Sequence, residues 1–437
     1  MDTLIYNATI ITMDDEETVI DRGYIRFNKE RIVTIAEGEP TQKEKEETTQ
    51  MNANGKWLMP GLVNTHGHPG MTLLRGISDD QPLQEWLEQS IWPAERKFDE
   101  KTLHVARDVS MIEMIASGTT AFVDMYHLGL PSFANRIEEV GIRATLMRSV
   151  IGLCSKEEQD EKLAESLSFA TAFHGQANGR ITTMLAPHAP YTCPPDYIER
   201  IVEAARDANL PVHMHLAETR KEIHDFMDQH GMHPLELLEE RDLLAGTKWL
   251  FAHCVHMYEQ HFELIQQRGA MVSHNPMSNM KLGSGIAPVA SMLKHDIPVS
   301  IGTDSVAANN HLDLFEEMRF AVLLQRGVNE QADIVKTYDG LKMATINGSK
   351  ATYVNQVGAL QPGNEADFIM LSPNQAHFLP EQRVLSHLVF SAKGTDVTDV
   401  FVQGKPLYRN KEFVTMDKEK IMAEARSMSA VNKKLID

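Results

Sequence analysis

The sequence predicts an α/β chain, a (β/α)8 TIM-type barrel carrying a small β-sandwich domain built from both termini. Three observations predict it. Eight short apolar runs recur through the middle of the 437 residues, each followed by helical sequence. The turn after the first run is THGHPG, where a doubly wound sheet would usually carry a Gly-rich phosphate turn. A strand-and-turn texture occupies both ends.

Taken in order, residues 1–57 read as short strands: LIYNATIITM, GYIRFNKERIVTIAEG and the approach to Lys56 and Trp57. The charged stretch TQKEKEETTQ at 41–50 reads as a solvated loop. Residues 58–355 form the barrel segment. Its candidate strands are LMPGLVNT, TTAFVDMY, IRATLMRSV, ITTMLAPH, PVHMHLAE, KWLFAHC, AMVSHNP and PVSIGTD. Helix starts lie between them, at Pro194-Pro195-Asp196 and at Thr219-Arg220-Lys221-Glu222, a capping-box pattern. Residues 356–437 return to strands in GALQPGNEADFIML and VTDVFVQGKPLY and complete the small domain.

Bulk properties narrow the function classes. With 42 Lys plus Arg against 61 Asp plus Glu, the net charge of −19 repels nucleic acid and anionic membranes and favours a small, locally recognised substrate. No apolar run spans a bilayer, and the acidic start MDTLIYNATIITMDDEE lacks signal-peptide features. Three cysteines without CxxC spacing (Cys154, Cys193, Cys254) suit a reducing compartment, so a cytoplasmic enzyme is expected.

The chemistry sits at the strand ends. His66 and His68, two apart on extended backbone, send both rings to one face, and His213 and His215 repeat the spacing. Among 19 histidines about one such pair arises by chance, so spacing alone decides nothing. Location does. His66, His68, His215, His253 and Asp304 end predicted strands one, five, six and eight, the rim where barrel enzymes place their sites. Hydrogen-bonded core histidines would have no reason to share that rim. His213 lies one layer deeper and reads as structural.

The order GLVNTHGH, HLAET, AHC, GTDS resembles the amidohydrolase superfamily over essentially the whole chain. Within it the sequence is most similar to the branch that deaminates 5-methylthioadenosine and S-adenosylhomocysteine. The resemblance implies one divalent metal on His66, His68, His215 and Asp304, zinc foremost, with iron or nickel in relatives. Three imidazoles and a carboxylate suit such an ion and leave room for water. A two-metal site fits poorly, because ITTMLAPH offers His188 and no bridging lysine at strand four. The resemblance further implies that Asp304 takes a proton from water and passes it to departing ammonia, and that His253 supports the attacking oxygen. Glu218 would protonate the ring nitrogen beside the attacked carbon, without which the ring cannot accept electrons. Its bland alternative is a helix-start charge favoured by the dipole.

For the substrate, the resemblance places Glu95 on ribose hydroxyls, Trp86 against the nucleoside, His188 on the purine and Arg148 on the carboxylate of S-adenosylhomocysteine. The alternative for the first two is an ordinary amphipathic helix with a buried Trp86 and a solvated Glu95. Where the branch can carry a second arginine, this chain reads CSKEEQDEKL, so Lys156 or Lys162 would have to substitute. Expected partners are a nucleoside and a second copy of the chain. The competing functions are a related triazine hydrolase, a guanine or other aminoheterocycle deaminase, and a non-enzymatic scaffold, which would have lost metal ligands.

Overall fold

The computed structural model describes residues 2–354 and 356–436. Each of the eight apolar runs contributes a strand, and all pair in parallel. Numbered along this region, they are β1 (Leu62–Asn64), β2 (Thr119–Tyr126), β3 (Arg143–Val150), β4 (Ile181–Thr183), β5 (Val212–Leu216), β6 (Trp249–His253), β7 (Met271–His274) and β8 (Val299–Ile301). The short strand Ala186–Pro187 continues β4 and also pairs with β3. The hydrogen bonds define two parallel sheets, β1 to β4 and β5 to β8. Parallel bridges connect them at both edges, Leu185 with Val212 and Gly67 with Asp304.

These strands are nearly continuous hydrophobic runs because both faces are covered. Inward-facing Val123, Met125, Met147, Met184 and Leu250 share one apolar cluster. The outer face packs helices such as Pro195–Asp207, which begins on a proline and buries Tyr197, Ile198, Ile201, Val202 and Ala205 along one stripe.

The two ends of the chain meet in one nine-stranded sheet. Phe368–Leu371 pairs antiparallel with Trp57–Pro60, which in turn pairs with Asp2–Ile11. The expected first barrel run therefore divides: Trp57–Pro60 belongs to the terminal sheet, and only Leu62–Asn64 enters the parallel one. Gly61 makes the join, since a Cβ there would lie 2.0 Å from the Thr120 hydroxyl oxygen. The boundary expected at 355/356 falls on Asn355, outside the described residues.

Two local expectations change. The stretch 41–50 is not a loop: it forms the helix Gln42–Glu46, with Thr41 and Glu44 in a capping box, and then the strand Thr48–Asn52. Local capping wins there over the charge-based reading. At Thr219 only half of the expected box forms. The Thr219 hydroxyl accepts from the Glu222 N–H at 3.1 Å. The Glu222 carboxylate reaches further back, accepting from the N–H groups of Ala217 at 2.9 Å and Glu218 at 2.8 Å. Among the described residues, no helix is long and apolar enough to cross a membrane.

Candidate active site

The strand ends converge as the topology requires. His66 and His68 follow β1, His215 lies in β5, His253 ends β6, and Asp304 lies three residues beyond β8. The seam between β1 and β8 is stitched tightly. Asn64 donates to the Thr303 hydroxyl at 2.7 Å and accepts from the Thr303 N–H at 3.0 Å, while the Asp304 N–H donates to the His66 carbonyl at 2.9 Å. His253 and Asp304 both take left-handed backbone, φ 75° and 59°. Such conformations cost energy for non-glycine residues and aim both side chains inward.

Second partners decide which nitrogen each ring offers. The Nδ1–H of His68 donates to the Met125 carbonyl at 2.6 Å, and that of His215 to the His188 carbonyl at 2.8 Å. His213 donates its own Nδ1–H to the Leu250 carbonyl at 2.8 Å, so its Nε2 accepts from His66 Nδ1 at 2.9 Å. All three rings are thereby held with a bare Nε2 toward one another. The His66 Nε2 is buried with no hydrogen-bond partner. Ligand atoms of His66, His68 and His215 lie within 4.8 Å of each other, as do those of His66, His253 and Asp304. Asp304 Oδ1 is 3.5 Å from His66 Nε2 and 3.2 Å from His68 Nε2. Unprotonated nitrogens and a carboxylate gathered so closely fit a divalent cation.

A cavity of about 610 Å³ opens above this cluster. It is lined by His68, His215, His253, Asp304, Glu218, His188, Trp86, Glu95 and Arg148; His66 lies beneath it, fully buried. Glu218 is buried, and desolvation first, then the charges of Asp304 and Glu222, holds its pKa well above the usual carboxyl range. Its Oε2 is 3.7 Å from His253 Nε2, and its Oε1 has no hydrogen-bond partner. Burial lowers the pKa of His188 to about 3, so that ring is neutral.

Glu95 is not solvated. It is 8% exposed and accepts a 2.6 Å hydrogen bond from the Tyr126 hydroxyl, and desolvation raises its pKa. Trp86 is buried beside it in the same apolar cluster as Tyr126. Arg148 reaches the cavity wall but already pairs with Glu165 at 2.7 Å. Lys162, not Lys156, also lines the cavity, paired with Glu158 at 2.8 Å.

Several site residues escaped the sequence reading. Tyr126 orients Glu95, while His213, expected to be structural one layer deeper, holds His66. The sequence reading of this region stopped at AMVSHNP, short of the MSN that follows. Ser278 from it donates to Asp304 Oδ2 at 2.5 Å, and Asn279 contacts His253 at 2.8 Å. The available signal was a dense set of polar residues directly after an apolar run.

A family model described as the amidohydrolase family matches residues 57–407. The chain is 65% identical over 425 residues to a 5-methylthioadenosine/S-adenosylhomocysteine deaminase of Shouchella clausii, covering 97% of this chain and 98% of that one. It is 51% identical over 428 residues to a protein of the same name from Halalkalibacterium halodurans, covering 98% of each. Among solved structures it is similar to a zinc-bound adenosine deaminase from Xanthomonas campestris, with a TM-score of 0.92, 30% identity and 99% of each chain covered.

Proposed function

The chain belongs to the amidohydrolase family, and on that premise we propose that it hydrolyses the amino group from adenine nucleosides. The substrates are 5′-methylthioadenosine and S-adenosylhomocysteine, and the products are the inosine analogue and ammonia. One observation carries this reading: Glu218, buried and with its pKa raised by desolvation and by the charges of Asp304 and Glu222, faces a cavity floored by three bare imidazole nitrogens and Asp304. An acid beside such a cluster suits aromatic C–N hydrolysis, which needs a proton on the ring. The names of the two relatives supply the substrates.

His66, His68, His215 and Asp304 would hold one divalent ion, zinc foremost, which supplies the Lewis acidity that lowers the pKa of water toward neutrality. The chain's own groups then move the protons. Glu218 gives its proton to the ring nitrogen beside the amino-bearing carbon as water adds to that carbon. Asp304 takes one proton from the water and delivers it to the amino group. As the C–N bond breaks and ammonia leaves, the new hydroxyl passes its remaining proton to Glu218, which is thereby reset. His253 supports the attacking oxygen. His188 meets the purine, Trp86 packs against the nucleoside, Glu95 receives the ribose hydroxyls and Arg148 faces the substrate's tail.

The closed (β/α)8 barrel belongs to the same reading, supported by the bridges at both edges of the two parallel sheets. So does a terminal sheet folded over as a sandwich: a Cβ on Gly404 would lie 2.0 Å from the Lys29 carbonyl, although the hairpins that these two turn residues close are distant in the sheet order. Three free cysteines support a cytoplasmic setting.

The test is ammonia release from adenosine, methylthioadenosine, S-adenosylhomocysteine, guanine and a chlorotriazine, with chloride release followed for the last. Turnover confined to the nucleosides is expected. Turnover confined to guanine or the triazine overturns the reading.

A further inference from the structure

His253 poses a problem of identity. Its ring lies as close to the cluster as the other imidazoles do, with centroids 5.3 Å from His66 and 5.5 Å from His215. It also shares a 4.8 Å group with His66 and Asp304. By distance alone it qualifies as a ligand. What separates it is the environment of its far nitrogen. The ligand-competent rings each send Nδ1–H to an acceptor, which leaves Nε2 bare. The Nδ1 of His253 instead meets two carboxamide nitrogens, from Asn279 at 2.8 Å and Asn275 at 3.3 Å. Both are donors, so Nδ1 must accept and the ring's proton sits on Nε2.

The Asn275 amide has a second partner that orients it. Asn275 turns its Oδ1 toward the Ser273 hydroxyl at 3.3 Å, which leaves its Nδ2 for His253. The Asn279 Oδ1 is buried without a hydrogen-bond partner, so what orients this amide is the contact of its Nδ2 with His253. Asn275 and Asn279 flank one turn of the helix Pro276–Lys281, joined by the Asn279 N–H to Asn275 carbonyl bond at 3.0 Å. Ser278 on that same turn donates to Asp304 Oδ2 at 2.5 Å, leaving Oδ1 toward the imidazoles.

We propose that Asn279 is a positioning residue that fixes His253 as the Nε2–H tautomer, excluding it from the ligand set and making it a hydrogen-bond donor into the cavity. With its proton on Nε2, the nitrogen 3.7 Å from Glu218 Oε2, the ring has no free lone pair there for a cation but can donate to an oxygen in the cavity. This gives one physical cause for a site with three imidazole ligands where four imidazoles are within reach. The role in turnover rests on the deaminase reading above; the tautomer itself does not.

The test uses full-length protein labelled with ¹⁵N-histidine, freed of metal by chelation, with His253→Gln identifying the His253 signals. Long-range ¹H–¹⁵N spectra distinguish the two neutral tautomers. Wild type is expected to show His253 protonated at Nε2. Asn279→Asp replaces a donor by an acceptor and should invert it to Nδ1–H. In the zinc-loaded enzyme that inversion should lower kcat for methylthioadenosine by at least ~10-fold, with KM little changed, the pattern of a lost transition-state contact. His253 protonated at Nδ1 in wild type overturns the proposal. An inverted tautomer with unchanged kcat overturns the positioning role. A wild type that deaminates nothing yet carries Nε2–H sinks the deaminase reading and leaves the tautomer assignment standing.

Discussion

Glu218 works by being where a carboxylate is uncomfortable. Burial and two nearby carboxylates raise its pKa, the direction that the proposed acid role requires. Glu218→Gln retains the size and hydrogen-bonding capacity but cannot surrender a proton in the same way. It should cost at least ~10²-fold in kcat while zinc content, measured by elemental analysis, stays at the wild-type level. Loss of zinc instead would make Glu218 part of the metal's support. In the proposed function Glu95 and Arg148 meet different ends of one ligand. Removing Glu95 takes away charge-assisted hydrogen bonds worth roughly 1.5–3 kcal/mol, a ~10–100-fold loss in kcat/KM. Glu95→Ala should therefore impair ribose-bearing substrates and spare analogues without the 2′ and 3′ hydroxyls. Arg148→Ala should impair S-adenosylhomocysteine far more than methylthioadenosine, whose tail is neutral. Because Arg148 is already paired with Glu165, the carboxylate must displace that partner, which tempers the gain it can obtain. Equal losses for every substrate in both variants would mean that these residues only support the fold.

At the scale of elements, what could be read from the sequence follows from what strands do. A parallel strand buried on both faces announces itself as an apolar run, and its last residues must emerge at one rim. His66, His68, His215, His253 and Asp304 could therefore be grouped before any distance was known. The helix Pro195–Asp207 was equally readable, from its prolines and its stripe. Residues that act across the chain were not. Tyr126 holds Glu95 from 31 positions away, and Asn279 holds His253 from 26. Neither spacing is periodic in any element, so no local pattern could express it. The loop between β1 and β2 was hidden for a related reason. Its helical turns Leu83–Trp86 and Trp92–Glu95 flank the π-helical turn Leu87–Ile91. That wider turn shifts which side chains share a face, so spacing counted at 3.6 residues could not place Glu95 inside.

At the scale of the whole molecule, the parallel region and the terminal sheet are joined by charge buried between them. Arg143, at the start of β3, pairs with Glu365 at 3.1 Å and with Asp367, and all three are buried. Asp367 also accepts from the Gln403 N–H at 2.8 Å, so the same carboxylate ties a turn of the terminal sheet to the parallel strands. A buried pair of this kind adds little against a well-packed apolar alternative, because desolvation offsets most of its Coulomb energy. Breaking it from one side is different. Arg143→Ala strands the Asp367 carboxylate away from water, while Glu365 keeps Arg31 at 3.0 Å, and should destabilise the protein by about 3–5 kcal/mol. Replacing all three residues by apolar ones of similar volume should recover most of that loss. Urea unfolding of the single and triple variants checks both statements. The result also bears on the site: β3 carries Arg148 at its far end, five residues from Arg143. If the pair sets the seating of that strand, Arg143→Ala should weaken S-adenosylhomocysteine turnover more than methylthioadenosine turnover at temperatures where the variant is fully folded. If it serves only to hold the terminal sheet in place, the two substrates should decline together as the protein unfolds.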